Sequence, residues 1–185
     1  RLIMEEKPKV IVSRSRRTEV PEKTFVFTAG MVPESGILAD YRQKAWQTFN
    51  RLSIPSMAEE AWRRTDLREL PADKVHLPSA DAVQELAPVP KEHLKPLTAD
   101  KHGGQVVLLP GGAKPTLSPE LIKKGVIFTD LHTAEREHPE LLIKMIGQTV
   151  RPEEGKFAAL AASLSQNGIV LYIPKGVVVE QPLNS

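Results

Sequence analysis

The chain contains no cysteine, and this absence excludes several kinds of chemistry. Without a thiol there is no disulfide, no thiolate nucleophile and no thiolate ligand for a metal ion or a cluster. The N-terminus also has no apolar signal core, and a chain without disulfides is compatible with a reducing compartment. We therefore expect a cytoplasmic protein.

Long apolar runs, aromatic residues and an excess of charge are also missing. The longest apolar runs, such as 169–173, are far shorter than the roughly 20 residues of a membrane-spanning helix. Aromatic residues make up only 5% of the sequence, so aliphatic side chains must fill most of the core. The formal net charge of +2 over 185 residues argues against a dedicated nucleic-acid-binding protein.

One basic stretch keeps a nucleic-acid alternative open. Arg14, Arg16 and Arg17 would bind phosphates if the chain were a nucleic-acid accessory protein. The near-neutral total charge favours a solvated loop instead. We expect residues 1–39 to be an N-terminal extension, partly extended and flexible, with short strands at 10–12 and 25–27.

The first strongly periodic segment predicts a helix that begins after Asp40, a typical N-cap residue. Helical spacing places five residues on one apolar stripe: Tyr41, Ala45, Trp46, Phe49 and Leu52. The continuous stripe indicates that Trp46 and Phe49 belong to the core. Pro55 ends this helix, and Ser56 with Glu59 forms a predicted capping box that opens a second, short helix.

Recurring prolines between residues 71 and 104 predict a long surface connection, with one short helix at 80–86. After it we expect a strand at 105–109 and a glycine turn at 110–112. Ser118 is placed to cap a short helix that ends at Gly125. A strand at 126–128 follows.

The last third of the chain alternates helices and strands. Asp130 is expected to cap a helix that extends to Glu137, and Pro139 to open the next helix. An amphipathic helix is predicted over 152–165, with four residues on its apolar stripe: Phe157, Leu160, Ala161 and Leu164. Strands at 169–173 and 177–180 are joined by a Pro-Lys-Gly turn.

A metal site is the first enzyme-like hypothesis. Asp130, His132, Glu137 and His138 are residue types that bind metals. Two residues six positions apart on a helix, however, lie about 600° apart around its axis, on different faces. Pro139 also interrupts the helix beside His138. Surface or capping roles are favoured, and a small metal enzyme using the His132/His138 region stays an alternative.

Two glycine pairs raise a phosphate-binding hypothesis. Gly103-Gly104 and Gly111-Gly112 lack both the Gly-x-Gly-x-x-Gly spacing and a following lysine with serine or threonine. Both pairs are typical of turns beside a strand. No serine lies in a Gly-x-Ser-x-Gly elbow either, so the sequence predicts no catalytic, cofactor-binding or metal-binding residue.

Two segments far apart in the chain carry recognisable motifs. The first motif, 54–67, combines Pro55, a pair of glutamates, Trp62 and the triplet Thr-Asp-Leu at 65–67. The second motif, 157–182, begins at Phe157 and includes a Pro-Lys-Gly turn and a valine triplet. Together they resemble the SufB/SufD family of iron–sulfur cluster assembly proteins. The first motif is similar to the SufD N-terminal pattern, and the second motif resembles the start of the family's β-helical core.

The resemblance implies an α+β fold. A mixed helix/strand domain would occupy 40–165, including the proline-rich connection 71–104. Residues 166–185 would form the first strands of a truncated, right-handed parallel β-helix. A short apolar strand, a Pro-x-Gly turn and a valine-rich strand suit the first rung of such a solenoid, in which each rung needs a neighbour to bury its face.

The resemblance also implies a non-enzymatic scaffold role. In this family SufB and SufD pair through their β-helices, the SufC ATPase docks on C-terminal helical regions, and clusters are assembled on the complex. None of these elements lies within 1–185, so no cofactor is expected in this segment. The missing cysteines favour a SufD-like over a SufB-like fragment. If the chain is a fragment, the strand at 177–180 predicts an exposed edge and hence a homo-oligomer.

Overall fold

The structure is a computed structural model that describes residues 24–78, 88–96, 99–109 and 112–185. The predicted strand at 10–12, the basic stretch, the helix at 80–86 and most of the glycine turn lie outside these ranges. The α-helices are α1 Ala39–Arg51, α2 Pro119–Lys123, α3 Leu131–Glu137, α4 Pro139–Met145 and α5 Lys156–Ser163. The β-strands are β1 Gly104–Leu109, β2 Gly112–Leu117, β3 Ile127–Asp130, β4 Ile169–Tyr172 and β5 Leu183–Asn184.

Helix α1 confirms the predicted core stripe and corrects its start. Ala45, Trp46 and Phe49 are buried, as the apolar spacing requires. The N-cap position belongs to Leu38, which offers no side-chain acceptor, and Asp40 lies in the first turn. There its carboxylate interacts favourably with the helix dipole without acting as a cap.

Two hydrophobic clusters form the core: α1 contributes to the second, and its N-cap residue Leu38 to the first. The first cluster comprises Leu38, Leu131, Ala134, Leu142 and Val170, with Ile146 against it. The second cluster comprises Val32, Trp46, Phe49 and Ala159, with Phe25, Phe27, Leu52, Leu160 and Leu164 against it. The first cluster joins α3, α4 and β4, and the second packs α1 on α5.

A buried ion pair lies between the two clusters. Arg42 is only 3% exposed, and its Nη2 lies 2.6 Å from Glu135 Oε1 on α3. At this distance the guanidinium and the carboxylate form an ion pair. Arg42 Nε donates to the Ser165 carbonyl oxygen at 2.9 Å. Because Arg42 follows Leu38 and precedes Trp46 by four positions, it shares their face of α1.

The strands form two small sheets. In the first, β1 pairs antiparallel with β2 and parallel with β5. In the second, β3 pairs antiparallel with β4, from Ile127↔Tyr172 to Asp130↔Ile169. Three predicted strands, at 105–109, 126–128 and 169–173, are confirmed within a residue or two. β2 was not predicted because Gly-Ala-Lys-Pro-Thr-Leu has neither apolar alternation nor strong strand propensity.

Two predicted strands are absent from the described part of the chain. Residues 177–180 follow the predicted turn, in which Val177 N–H donates to the Pro174 carbonyl oxygen, but they join no ladder. Val178 is 70% exposed there. Residues 25–27 are held by the rings of Phe25 and Phe27 and likewise pair with no strand. The predicted oligomer through an edge at 177–180 therefore loses its structural basis.

The predicted helices near 56 and 152 also need correction. Glu60–Trp62 is a single 3₁₀ turn, and no α-helix follows it before residue 78. The predicted helix 152–165 is divided by Gly155, whose extended backbone separates the 3₁₀ turn Pro152–Glu154 from α5. On α5 the predicted stripe is partly wrong: Ala161 is exposed, whereas Ala159 and Ser163 are buried.

The short helices begin where the caps were predicted. Ser118 Oγ accepts from the Leu121 N–H at 3.3 Å, and Pro119 takes the first helical position of α2. Gly125 follows the helix with φ +79°, a conformation that favours glycine. The domain boundaries and the β-helix over 166–185 stay predictions.

The buried ion pair generates the first testable prediction. Arg42→Ala leaves the Glu135 carboxylate buried without its partner, and we expect the free energy of unfolding to fall by about 3–5 kcal/mol. The double variant Arg42→Met/Glu135→Leu removes both charges and should recover most of the loss. Urea denaturation followed by circular dichroism measures both.

Arg51→Met is the matched control, because Arg51 is exposed on the same helix. We expect it to change the free energy of unfolding by less than about 0.5 kcal/mol. If Arg42→Ala and the double variant lower the free energy of unfolding equally, the charge of Arg42 does not stabilise the buried carboxylate of Glu135.

Candidate functional site

Asp130, the first residue of the metal hypothesis, is engaged as a helix cap. Its Oδ1 accepts from the Thr133 N–H at 3.0 Å and its Oδ2 from the Thr133 hydroxyl at 2.7 Å. Burial acts to raise the pKa of Asp130, but the hydrogen bonds from Thr133 and from the backbone N–H groups of Asp130 and His132 together outweigh it, so the pKa lies below its ordinary value. The predicted cap of α3 is confirmed.

The other three residues of that hypothesis do not gather around Asp130 as a ligand set. His132 is exposed in the first turn of α3, and Glu137 accepts from Arg136 Nη2 at 2.7 Å. His138 is half-buried at the junction of α3 and α4. Within 24–78, 88–96, 99–109 and 112–185, no group of three acidic or histidine side chains is placed to hold a metal ion.

The pair Gly103-Gly104 is a packing feature beside β1. The Gly103 N–H donates to the Pro182 carbonyl oxygen at 2.9 Å, and the Gly103 carbonyl oxygen accepts from the Ser118 N–H at 2.8 Å. A Cβ on Gly104 would lie 2.8 Å from the Thr116 carbonyl oxygen. The backbone groups of Gly103 are therefore used inside the fold, and the pair supports close strand packing rather than a phosphate loop. Gly111 lies outside the described residues.

The structure brings the first and second motifs into contact. Trp62, in the first motif, has its ring centroid 5.4 Å from that of Phe157, the first residue of the second motif. Phe157 also meets Phe25 edge-to-face, with the centroids 6.3 Å apart. Segments separated by nearly a hundred residues are thus joined through one aromatic ring.

This contact belongs to a larger aromatic cluster. The chain has five phenylalanines, two tryptophans and two tyrosines, and six of these residues are linked by ring contacts: Phe25, Phe27, Trp46, Phe49, Trp62 and Phe157. Lys156 Nζ lies 4.2 Å from the Phe49 centroid and donates to the Phe49 carbonyl oxygen at 3.0 Å. A cavity of about 300 Å³ opens beside these two residues. The cluster fixes the first motif against α1 and α5.

The first motif is otherwise a surface segment held by local hydrogen bonds. The Ser56 N–H donates to Glu59 Oε1 at 2.9 Å, which confirms half of the predicted capping box. The other half is different, because Ser56 Oγ accepts from the Ala58 N–H at 3.3 Å. Serine and glutamate therefore stabilise a turn here instead of opening a helix.

Asp66, the middle residue of the Thr-Asp-Leu triplet in the first motif, forms an exposed ion pair with Arg68. Asp66 Oδ2 lies 2.6 Å from Arg68 Nη2, and Asp66 Oδ1 accepts from the Arg68 Nε at 2.9 Å. The Arg68 backbone N–H also donates to Asp66 Oδ1 at 3.0 Å. The hydrogen bonds from Arg68 lower the pKa of Asp66 to about 2. This carboxylate stays charged and shapes the surface, whereas a general acid would need a raised pKa.

An open groove of about 730 Å³ lies beside α4 and β4. Its lining includes four apolar or aromatic side chains: Ile127, Leu141, Met145 and Tyr172. It also includes four charged or polar side chains: Glu137, His138, Glu140 and Lys144. Sequence reasoning missed the groove because its two sides come from elements that are distant in the chain.

No helix in the described ranges is long and apolar enough to cross a lipid bilayer. The described part of the chain is a mixed helix–strand domain. Residues 31–184 match the family model described as the SufBD protein N-terminal region. The chain therefore belongs to the SufBD family.

Several curated relatives agree with this match. The chain is 48% identical to the iron-sulfur cluster assembly protein SufD of Bacillus subtilis over 71 residues, which is 38% of this chain and 16% of that protein. It is 29% identical over 180 residues to an iron-sulfur cluster assembly SufBD family protein of Arabidopsis thaliana, covering 89% of this chain and 38% of the relative.

A SufBD family protein of Staphylococcus epidermidis is 28% identical over 190 residues, covering 95% of this chain and 39% of the relative. The matches thus span less than two fifths of the length of these relatives. They place this chain in the family but describe only part of each longer protein.

The Asp130 cap generates a pH-dependent prediction. Its pKa is lower in the folded than in the unfolded chain, so its charge stabilises the fold above pH 3.8, and this contribution is lost as the pH falls through the folded pKa. We expect Asp130→Asn to lower the free energy of unfolding by about 1 kcal/mol at pH 7. The difference from the wild type should shrink as the pH falls through the folded pKa of Asp130.

Urea unfolding at a series of pH values measures this difference. Thr133→Val, which removes the hydroxyl donor but keeps the N–H, should give a smaller loss with the same pH dependence. A loss that is constant from pH 7 to pH 2 would mean that the charge of Asp130 plays no part.

The contact between the motifs generates a prediction about local opening. Trp62→Ala removes the ring that holds the first motif on Phe157, and we expect trypsin to cut after Arg63 and Arg64 about 2- to 10-fold faster. Met57→Ala is the control, since Met57 is exposed in the same segment. Mass spectrometry measures each cleavage against cleavage after Lys144. Equal acceleration at all three sites would indicate global destabilisation instead.

Proposed function

We propose that this chain is the N-terminal domain of a SufD-like scaffold protein that takes part in iron–sulfur cluster assembly. The observation that carries the proposal is the family match over 31–184, a range that contains both motifs. The identity of 48% with a SufD protein over 71 residues supports a SufD-like over a SufB-like assignment.

In this proposal the chain acts through protein contacts and catalyses no reaction. Its partners are a SufB-like protein and a SufC-like ATPase, reached through the full-length chain, and its location is cytoplasmic. The absence of cysteine supports this division of roles, because cluster ligands of the thiolate type must come from another chain or segment. The cluster is cargo of the complex.

The proposal also includes the β-helix predicted to begin in 166–185. β4 supplies the apolar strand and Pro174 with Gly176 the turn, whereas the valine-rich segment 177–180 joins no ladder in the described residues. The alternative of a small metal or phosphate enzyme around His132 and His138 gains no support from the placement of those residues, since Asp130 and Glu137 are engaged by Thr133 and Arg136.

A chimera tests the proposed function. In Bacillus subtilis SufD, the N-terminal region is replaced by this chain, and the chimera is expressed in cells depleted of the native SufD. We expect the activity of an iron–sulfur enzyme such as aconitase to return to within about twofold of its normal level. Immunoblotting confirms that the chimera accumulates.

Two controls give the result its meaning. SufD without its N-terminal region should fail to restore the activity, and if it succeeds, the region is dispensable and the proposal is wrong. A chimera carrying Arg42→Ala should restore less, in proportion to its loss of stability. A stable chimera that restores nothing would also contradict the proposal.

A further inference from the structure

β5 pairs in parallel with β1, and no other ladder among the described residues is parallel. Its register joins Gly104 to Leu183 and Gln105 to Asn184. The ladders β1–β2 and β3–β4 are both antiparallel. A β-helix is built from parallel strands stacked rung on rung. Among the described strands within 166–185, β5 alone therefore has the kind of partner that such a stack requires.

The backbone of β1 presents alternate residues to β5. The Ser118 N–H donates to the Gly103 carbonyl oxygen at 2.8 Å, one step before the first pair of the β1–β2 ladder. Hydrogen-bonded pairs alternate with non-hydrogen-bonded pairs, whose backbone groups point away from the partner strand. Three residues of β1 therefore direct their N–H and C=O groups away from β2, toward the side on which β5 lies: Gly104, Val106 and Leu108.

β5 covers only the first part of that side of β1. The β1–β5 ladder ends at the pair Gln105↔Asn184, and no strand among the described residues continues it toward Leu109. In the same parallel register, the residue that follows Ser185 lies opposite Val107. The matches span less than two fifths of the length of the relatives, so a longer family member has chain to fill these positions.

The outer edge of β2 has the character of a terminal strand. β2 carries Lys114 and Pro115, and both residues are exposed. Lysine and proline are the residues by which natural proteins keep an edge strand from pairing, and proline lacks the N–H that a further strand needs. This character comes from the residues of β2 themselves.

We propose that the hairpin of β1 and β2 caps the first rung of the β-helix, with β5 as the first strand of the parallel stack. In a longer family member, the strand that begins at Leu183 continues beside β1 as far as Leu109, in the register of the existing ladder. The sheet then runs from β2 through β1 to β5 and on to the next rung. Solenoids need a terminal unit with a polar outer face, which β2 supplies. This inference rests on the β-helix of the proposed function.

The geometry of the preceding segment agrees with a stack that begins at β5. The partner of β4 runs antiparallel to it, and residues 177–180 join no ladder in the described part of the chain. The chain then reaches β1, where the Gly103 N–H donates to the Pro182 carbonyl oxygen at 2.9 Å. A Cβ on Gly103 would lie 2.8 Å from Leu121 Cδ1, so glycine allows this close approach. The start of the β-helix narrows from 166–185 to β5.

Hydrogen exchange tests the cap in the chimera with Bacillus subtilis SufD. In the proposed register the Leu108 N–H donates to the carbonyl oxygen of the first residue after Ser185. We expect the Leu108 amide to exchange at least about tenfold more slowly in the chimera than in this chain alone. Val107 and Leu109 are internal controls, because their N–H groups face β2 and should exchange equally slowly in both proteins.

Mass spectrometry with fragmentation that resolves single amides measures these rates. A Leu108 amide that exchanges equally fast in both proteins contradicts the cap. Equal slowing of all three amides also contradicts it, because that result reflects a general gain in stability and no added strand beside β1.

A disulfide test measures the register independently. Paired residues of neighbouring strands lie about 4.8 Å apart, within the roughly 4.4–6.8 Å between Cα atoms that a disulfide spans. Val107→Cys, combined with a cysteine at the first position after Ser185, should therefore form a disulfide within one chain. The chimera used has its other cysteines replaced by serine, and this chain contributes none.

The matched control keeps Val107→Cys and moves the second cysteine one position further along the chain. That side chain lies on the opposite face of the sheet, since successive residues of a strand alternate. We expect the first pair to form its disulfide at least about tenfold faster under mild oxidation. Equal rates, or a faster reaction in the control, overturn the proposed register.

These outcomes are separable from those of the proposed function. Exchange and disulfide formation report strand pairing and require no iron–sulfur enzyme activity. A chimera that restores aconitase activity but fails both pairing tests contradicts the cap alone. A chimera that passes both pairing tests and restores no activity supports the cap and contradicts the role in cluster assembly.

Discussion

The buried guanidinium of Arg42 is the constraint on which the rest of this structure depends. Removing its charge from water costs several kcal/mol, and that cost is offset only when Glu135 and the Ser165 carbonyl oxygen are both in place. Those two groups belong to α3 and to the segment between α5 and β4. One side chain therefore sets the relative positions of α1, α3 and the strand that follows α5.

The two hydrophobic clusters gain their arrangement from this constraint. Leu38 anchors the first cluster and Trp46 the second, and Arg42 lies midway between them on α1. The aromatic cluster then extends the second core outward to Trp62, which attaches the otherwise exposed first motif. A chain poor in aromatic residues concentrates most of them where its two family motifs meet. The ring contact between Trp62 and Phe157 joins the two motifs.

Sequence reasoning succeeded where the determining contacts are local. The caps formed by Ser118 and Asp130 depend on donors three positions away, and the buried stripe of α1 depends on helical spacing alone. It failed where partners are distant: Arg42 and the Ser165 carbonyl group lie 123 positions apart. β2 becomes a strand because β1 pairs with it, and residues 177–180 remain outside any ladder because no strand lies beside them in the described ranges. Local strand propensity predicts neither outcome.

The candidate site follows the same division. The sequence identified Asp130 as a cap and the two motifs as family-like, but their contact through Phe157 required the fold. The groove beside α4 likewise arises from elements brought together over long distances. Among the features that sequence reasoning missed, only the buried position of Arg42 could have been predicted, because Arg42 lies four residues from both Leu38 and Trp46 on the apolar face of the helix.

The central claim is that one buried ion pair makes α1, α3 and α5 a single cooperative unit. Native-state hydrogen exchange tests this claim most directly. The account predicts that the slowest amides of these three helices open with the same free energy and the same denaturant dependence. If α3 opens separately, at a free energy several kcal/mol below that of α1 and α5, Arg42 does not unite the two clusters and the account is wrong.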